Sequence, residues 1–104
     1  MTYSLKGRAA IITGGSQGFG MAVAQAYVSA GASVLYARAS QSVLDEAGAK
    51  LRAVAGAGQI IATQTADVSQ ALDVKQLVDT ALTLFPQIHI LVNNAGVYGP
   101  KEIN

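Results

Sequence analysis

Short apolar runs alternate with longer stretches of helical periodicity along the whole chain, and few folds accommodate that pattern. The short runs are rich in β-branched residues, while apolar residues in the stretches between them recur three or four positions apart. Strands are predicted at residues 8–13, 33–37, 59–65 and 88–92. The alternation is typical of a parallel sheet whose strands are joined by crossover helices.

Two of the three predicted helices carry a continuous apolar stripe that we expect to be buried. The first stripe comprises Phe19, Ala22, Val23, Ala26, Tyr27 and Ala30, and the other comprises Val74, Leu77, Val78, Ala81, Leu82 and Phe85. Gly31 is expected to end the first helix, and Pro86 the third. The middle helix should begin at Ser40 or Ser42, and Ser69 is the predicted N-cap of the third.

Right-handed crossovers between four parallel strands predict the first part of an α/β, doubly wound, Rossmann-like sheet with strand order 3-2-1-4. With 104 residues, the chain has room for one domain, residues 1–104. In such sheets, ligands bind beyond the carboxyl ends of the strands where the order reverses. Residues 13–20 and 93–96 fall at that point.

Composition excludes several classes of function. Charged residues make up only 12% of the chain, about half the usual share, so most of it should be buried. The net charge of +1 without a Lys/Arg run predicts no nucleic-acid partner. The chain has no cysteine and a single histidine, so we expect no metal site. No apolar run reaches membrane-spanning length, so we expect no membrane partner and a cytoplasmic location.

The segment Thr13-Gly14-Gly15-Ser16-Gln17-Gly18-Phe19-Gly20 lies between the first strand and the first helix. Free backbone N–H groups and the helix dipole converge there, which favours a bound phosphate. Gly14 permits a sharp turn, Gly18 leaves room for a pyrophosphate, and Gly20 allows close helix packing. Ser16 and Gln17 can add side-chain donors. The segment lacks the Lys-Ser/Thr of a phosphate-loop NTPase, and glycine-rich turns also occur only to save space.

Together with Asn93-Asn94-Ala95-Gly96 later in the chain, this segment resembles the short-chain dehydrogenase/reductase family. The resemblance covers essentially the whole chain. It implies that residues 14–20, Phe19 included, hold a pyrophosphate and that Asp67 and Val68 contact adenine. It also implies that Asn94, Ala95 and Gly96 flank the ribose. Thr13 and Asn93 are expected to be structural.

Arg38, directly after the second strand, bears on the choice between NAD and NADP. An acidic residue at this point of the fold binds the 2′-hydroxyl of NAD, whereas an arginine accommodates the 2′-phosphate of NADP. No carboxylate follows before Asp45, so NADP is favoured over NAD. The alternative is a solvated arginine, because Gln17 stands where many NADP-binding relatives carry a basic residue.

The resemblance also implies hydride transfer between nicotinamide and a carbonyl or alcohol substrate, with a Tyr, a Lys four residues later and a Ser. No tyrosine in the chain has a lysine at that spacing. Tyr98 and Lys101 are three apart, and His89 falls inside the fourth predicted strand, so no catalytic residue is assigned.

The chain is therefore interpreted as the cofactor-binding half of a dehydrogenase, truncated before its catalytic half. A non-catalytic dinucleotide-binding module and an inactive fragment are the alternatives. Family resemblance suggests a homo-oligomer. The fourth strand would be an open apolar edge, so we expect the chain alone to aggregate, to self-associate or to depend on a missing remainder.

Overall fold

A computed structural model describes residues 4–13 and 19–93, which form a four-stranded parallel sheet flanked by helices. In chain order, the elements are β1 (Ala9–Thr13), α1 (Phe19–Ser29), β2 (Ser33–Arg38), α2 (Gln41–Val54), β3 (Ile61–Thr65), α3 (Ala71–Leu84) and β4 (Ile90–Asn93). The strand order is β3-β2-β1-β4, and every neighbouring pair is parallel. The predicted fold class and strand order are both confirmed.

The two central strands are buried along most of their length. All five residues of β1 are buried, as are residues 34–37 of β2. Both strands consist mainly of Ala, Ile, Val and Leu, which is the composition expected when helices cover both faces of a parallel sheet. The edge strands β3 and β4 are only partly buried.

Helix α1 packs on the sheet through Ala24 and Val28. Ala24 and Val28 are fully buried, whereas Ala22 and Ala26 are exposed, so the predicted stripe was wrong at those two alanines. Val23 and Tyr27 are partly buried and pack against the same cluster. Gly31 follows the helix at φ +107°, a left-handed conformation that ends it as expected.

Helices α2 and α3 begin close to their predicted starts. Ser40 is the N-cap residue of α2, one of the two candidates. The N-cap residue of α3 is Gln70 rather than Ser69, because the hydroxyl of Ser69 instead donates to Asp67. Phe85 adopts an extended conformation after α3, as the residue before a proline must.

The helices cover the two faces of the sheet unequally. Helices α1 and α2 pack on one face, around a cluster that includes Ile12, Tyr36 and Leu44. Of the described helices, only α3 packs on the other face. Of the predicted stripe, Leu77 and Ala81 of α3 and Phe85 directly after it are buried, whereas Val74, Val78 and Leu82 are exposed. Among the described residues, no helix is long and apolar enough to cross a membrane.

Candidate cofactor site

Strands β1 and β4 end side by side at the carboxyl edge of the sheet. Thr13 and Asn93, the last residue of each strand, are register partners. Both predicted loop segments therefore begin at neighbouring strand ends, the place where open α/β sheets bind ligands. Gly14, Ser16, Gln17 and Gly18 lie outside the described residues, as do Asn94, Ala95 and Gly96.

A side-chain hydrogen bond joins these two strand ends. Thr13 is only 4% exposed, and its hydroxyl Oγ1 lies 2.9 Å from Oδ1 of Asn93 and 3.4 Å from the carbonyl of Val92. The shorter distance marks the amide oxygen as the main acceptor. Thr13 and Asn93 thus have the structural role expected of them, since their contact fixes the spacing of the two strand ends.

Helix α1 directs its amino end toward the same edge. Phe19 opens the helix and Gly20, its second residue, is buried. The first backbone N–H groups of a helix have no partner within it, and they carry partial positive charge. The first turn of α1 contains no acidic residue to offset that charge. An anion such as a pyrophosphate fits this helix end.

Arg38 ends β2, the strand next to β1. Its side chain is half-buried and forms no ion pair among the described residues. With Tyr36 it lines a cavity of about 180 Å³ between α1 and α2. The guanidinium lies at this edge without an ion pair among the described residues, and its role toward an anionic ligand stays a prediction.

Asp67 and Val68 lie between β3 and α3, also at the carboxyl edge. Oδ1 of Asp67 accepts hydrogen bonds from the backbone N–H of Ser69 at 2.9 Å and from its hydroxyl at 2.6 Å. These two bonds, the hydroxyl first, lower the pKa of the Asp67 carboxyl below its usual value. Val68 lines a small apolar cavity of about 110 Å³ between α3 and β4. A carboxylate has further acceptor positions, so Asp67 can shape this turn and still accept a ligand N–H.

His89 lies at the amino ends of the strands, opposite the candidate site. Contrary to the prediction, it lies outside β4, which starts at Ile90. The backbone N–H of Ala9 donates to its Nδ1 at 3.1 Å, and the N–H of His89 donates to the carbonyl of Ala9 at 3.0 Å. The imidazole thus accepts a hydrogen bond from the Ala9 N–H that a backbone carbonyl would accept in a regular parallel sheet. It also lines a cavity of about 480 Å³ with Lys6 and Phe85. That cavity is larger than the one at Arg38, but it lies at the amino edge, away from the ligand side of such sheets.

Tyr36 and Lys50 lie beside Arg38, and the sequence did not predict either of them as a site residue. Both line the cavity at Arg38, together with Met21, Val43, Glu46 and Ala47. Tyr36 precedes Arg38 by two positions, so the period of two along a strand places both on one face. The spacing of Tyr36 and Arg38 could be read from the sequence. Which residues of α2 line the cavity could not, because that depends on how the helix packs.

The described residues fit a nucleotide cofactor. They provide an uncompensated helix amino end, a free guanidinium and a polar turn, all at one sheet edge. These groups suit a pyrophosphate, a ribose phosphate and a base respectively. No group of three potential metal ligands occurs within residues 4–13 and 19–93.

Comparison with known proteins shows which family the chain is similar to. The family model of short chain dehydrogenases matches residues 8–104. An uncharacterized oxidoreductase of Methylorubrum extorquens is 43% identical over 94 residues, which is 90% of this chain and 37% of the relative. 3beta-hydroxysteroid dehydrogenase 2 of Eggerthella lenta is 39% identical over 93 residues, which is 89% of this chain and 35% of the relative.

Solved structures agree with the sequence matches. L-sorbose reductase of Gluconobacter frateurii, complexed with NADPH and L-sorbose, superposes with a TM-score of 0.83 at 30% identity, over 95% of this chain and 37% of that one. Hydroxysteroid dehydrogenase of Escherichia coli superposes with a TM-score of 0.81 at 30% identity, over 93% of this chain and 38% of that one. The chain thus spans less than two-fifths of the length of these relatives. Because the family match nevertheless covers nearly all of its residues, the chain belongs to the short-chain dehydrogenase family.

Proposed function

We propose that the protein is an NAD(P)-dependent oxidoreductase that transfers a hydride between nicotinamide and a carbonyl or alcohol substrate. In this proposal, residues 1–104 supply the dinucleotide-binding half. The observation that carries it is the paired ending of β1 and β4, where the Thr13–Asn93 bond of 2.9 Å holds the two strand ends together. The uncompensated amino end of α1 follows β1 at the same edge.

Each part of the edge has a role in this proposal. The first turn of α1 and residues 14–20 bind the pyrophosphate through backbone N–H groups. Asp67 and Val68 contact the adenine, and residues 94–96 flank the ribose. When bound, the nicotinamide supplies or accepts the hydride. The group that moves the substrate proton is not assigned, because no tyrosine of these 104 residues has a lysine four positions later.

NADP is the favoured cofactor over NAD. Arg38 stands at the end of β2 with no ion pair among the described residues, and guanidinium groups bind phosphate oxygens in a planar, bidentate manner. Two structural relatives are described with this cofactor, the L-sorbose reductase complexed with NADPH and an RhlG/NADP complex of Pseudomonas aeruginosa.

Titration of the protein at its natural length with NADPH and NADH tests the cofactor. We expect NADPH to bind more tightly, and Arg38→Gln to weaken NADPH binding about tenfold because a charged hydrogen bond is lost. NADH binding should stay within about twofold. Arg52→Gln, which removes an exposed arginine of α2, is the matched control. Equal or tighter NADH binding by the unmodified protein would identify NAD as the cofactor.

Turnover separates the enzyme from its alternatives. Oxidation of NADPH in the presence of a panel of small carbonyl compounds is the expected result. Tight nucleotide binding without turnover would favour a non-catalytic binding module, and no binding at all would favour an inactive fragment. The cytoplasmic location and the homo-oligomer stay predictions from the sequence.

A further inference from the structure

The cavity of about 480 Å³ at the amino ends of the strands has the volume of a small-molecule pocket. Residues at or just before the start of all four strands line it. Gly7 and Gly58 line it as well, and beyond their chain neighbours a Cβ at either would meet no atom within 4 Å. The cavity is therefore open at these two turns, and it lies at the opposite ends of the strands from the proposed cofactor edge.

Basic side chains line this cavity, and no acidic one does so among the described residues. Lys6 and Arg8 flank Gly7 in a turn that the Arg8 N–H closes by donating to the Leu5 carbonyl at 2.9 Å. Gly7, at φ +82°, supplies the left-handed residue that the third position of such a turn requires. Within residues 4–13 and 19–93, neither Lys6 nor Arg8 forms an ion pair. Two positive charges at the cavity are therefore without a carboxylate in this part of the chain.

His89 adds a hydrogen-bond donor whose tautomer is fixed by β1. The backbone N–H of Ala9 donates to Nδ1 at 3.1 Å, so Nδ1 carries no proton and Nε2 carries it. The two ring nitrogens point to opposite sides of the ring, so the Nε2–H points away from Ala9. Because Ala9 is only 5% exposed, its N–H would lose free energy without this acceptor. The contact therefore holds His89 as a donor at the cavity.

A phosphate monoester matches these three donors. The ammonium of Lys6 and the guanidinium of Arg8 can only donate, and His89 donates through Nε2. A phosphate monoester carries about two negative charges near pH 7 and three terminal oxygens that diverge, whereas a carboxylate has two oxygens in one plane. The donors come from the turn before β1 and from the start of β4. Diverging acceptor oxygens suit donors from two separate segments better than a planar carboxylate does.

Another part of the lining is apolar. Ala57, Ile60 and Pro86 contribute apolar atoms to the same cavity, and Ile60, just before β3, is 41% exposed. A ligand with an apolar body would remove this surface from water, which favours binding. The lining therefore favours a phosphate carried on an organic group over the free ion.

We propose that this cavity is a second ligand site, which binds the phosphate group of a small organic phosphate through Lys6, Arg8 and His89. The site goes beyond the proposed function, because it shares no residue with the cofactor edge and does not require a bound dinucleotide. The apolar residues before β3 and after α3 contact the organic part of the ligand.

Titration of the protein at its natural length with phenyl phosphate tests the site, and inorganic phosphate and benzoate are the comparison ligands. Isothermal titration calorimetry measures all three affinities. We expect phenyl phosphate to bind several-fold more tightly than inorganic phosphate, because of the apolar lining, and than benzoate, because of its charge and its third oxygen. Inorganic phosphate bound as tightly as phenyl phosphate would overturn the organic ligand, and benzoate bound as tightly would overturn the phosphate.

Arg8→Gln should weaken phenyl phosphate binding about tenfold, because a charged hydrogen bond is lost. Lys6→Gln should weaken it several-fold. Arg38→Gln is the matched control, since Arg38 also forms no ion pair among the described residues but lies at the opposite ends of the strands. It should change the affinity by less than about twofold. Weaker binding in Arg38→Gln with unchanged binding in Arg8→Gln would place the phosphate at the cofactor edge and overturn the proposal.

His89→Asn separates the contact with ligand from the contact with Ala9. Asparagine keeps an acceptor near the position of Nδ1 but has no donor in place of Nε2, so phenyl phosphate should bind several-fold more weakly while the melting temperature stays unchanged. His89→Leu removes both groups and should also lower the melting temperature, because the buried Ala9 N–H loses its acceptor. Unchanged affinity in His89→Asn would refute the role of His89. A protein that binds NADPH but not phenyl phosphate would refute this site and leave the proposed function intact.

Discussion

Asp67 shows how one side chain at this edge combines a structural contact with a proposed contact to ligand. Its carboxylate accepts from the backbone and the hydroxyl of Ser69, while its own N–H donates to Asp73 at 2.9 Å. These bonds shape the turn between β3 and α3 before any nucleotide arrives. They also favour the charged form of Asp67, which is why its pKa lies below the usual value of an aspartate.

Ser69→Ala should raise the pKa of Asp67 toward the usual value of an aspartate, since it removes the hydrogen bond that lowers this pKa most. Carboxyl chemical shifts followed by NMR during an acid titration measure the change. A lowered pKa in the folded state contributes stability above the unfolded value, and that contribution is lost as pH falls through the folded value. The free energy of unfolding of the variant should therefore depend less on pH below about 4 than that of the unmodified protein. Ser42→Ala, at a serine bonded to Ser40, is the control, and an unaltered Asp67 pKa in Ser69→Ala would contradict the assignment.

Among the elements, the turn from α1 to β2 depends most on a single glycine. Gly31 has φ +107°, and a Cβ there would lie 3.1 Å from the backbone of Lys6. Backbone atoms cannot swing aside as a side chain can. Gly58, before β3, has a similar φ of +87° but nothing within 4 Å of a Cβ. Comparing alanine substitutions at the two glycines therefore separates the free-energy cost of backbone strain from the cost of the steric contact.

We expect Gly31→Ala to destabilise the protein by about 2 kcal/mol or more, and Gly58→Ala by about 1 kcal/mol. Both substitutions force an L-residue into the left-handed region, and only the first adds the contact with Lys6. Urea unfolding of the protein at its natural length gives both values. Equal losses in the two variants would show that the contact with Lys6 adds nothing.

The positions of the strands could be predicted from the sequence, whereas the packing of the helices could not. The strand order followed from apolar runs and crossover rules, and Thr13, Arg38 and Asp67 could be placed at one edge because each ends or follows a predicted strand. Periodicity alone could not identify the buried face of α1, because nearly every residue from 19 to 28 is apolar or small. The sequence also could not predict that the buried hydroxyl of Tyr36 has no hydrogen-bond partner among the described residues, since such partners depend on how β2 and α2 pack.

At the scale of the whole molecule, the sheet is covered unevenly. Within residues 4–13 and 19–93, two helices pack on one face and one on the other. On the second face, Leu91 of the edge strand β4 is 66% exposed and Leu82 of α3 is 58% exposed. Val74 and Val78 of α3 also remain partly exposed beside β4. An apolar strip next to an unpaired strand edge is a known route to self-association.

Residues 1–104 expressed alone are therefore expected to self-associate, and Leu91→Lys should shift them toward monomer. A lysine on an edge strand disfavours pairing with another chain, because its charge would be buried in the contact. Sedimentation at several protein concentrations measures the association. Val54→Lys is the matched control, since Val54 is 46% exposed at the end of α2, away from β4, and should leave the association unchanged. A monomeric chain that unfolds cooperatively without either substitution would contradict this expectation, because it would show that the exposed strip is tolerated in water.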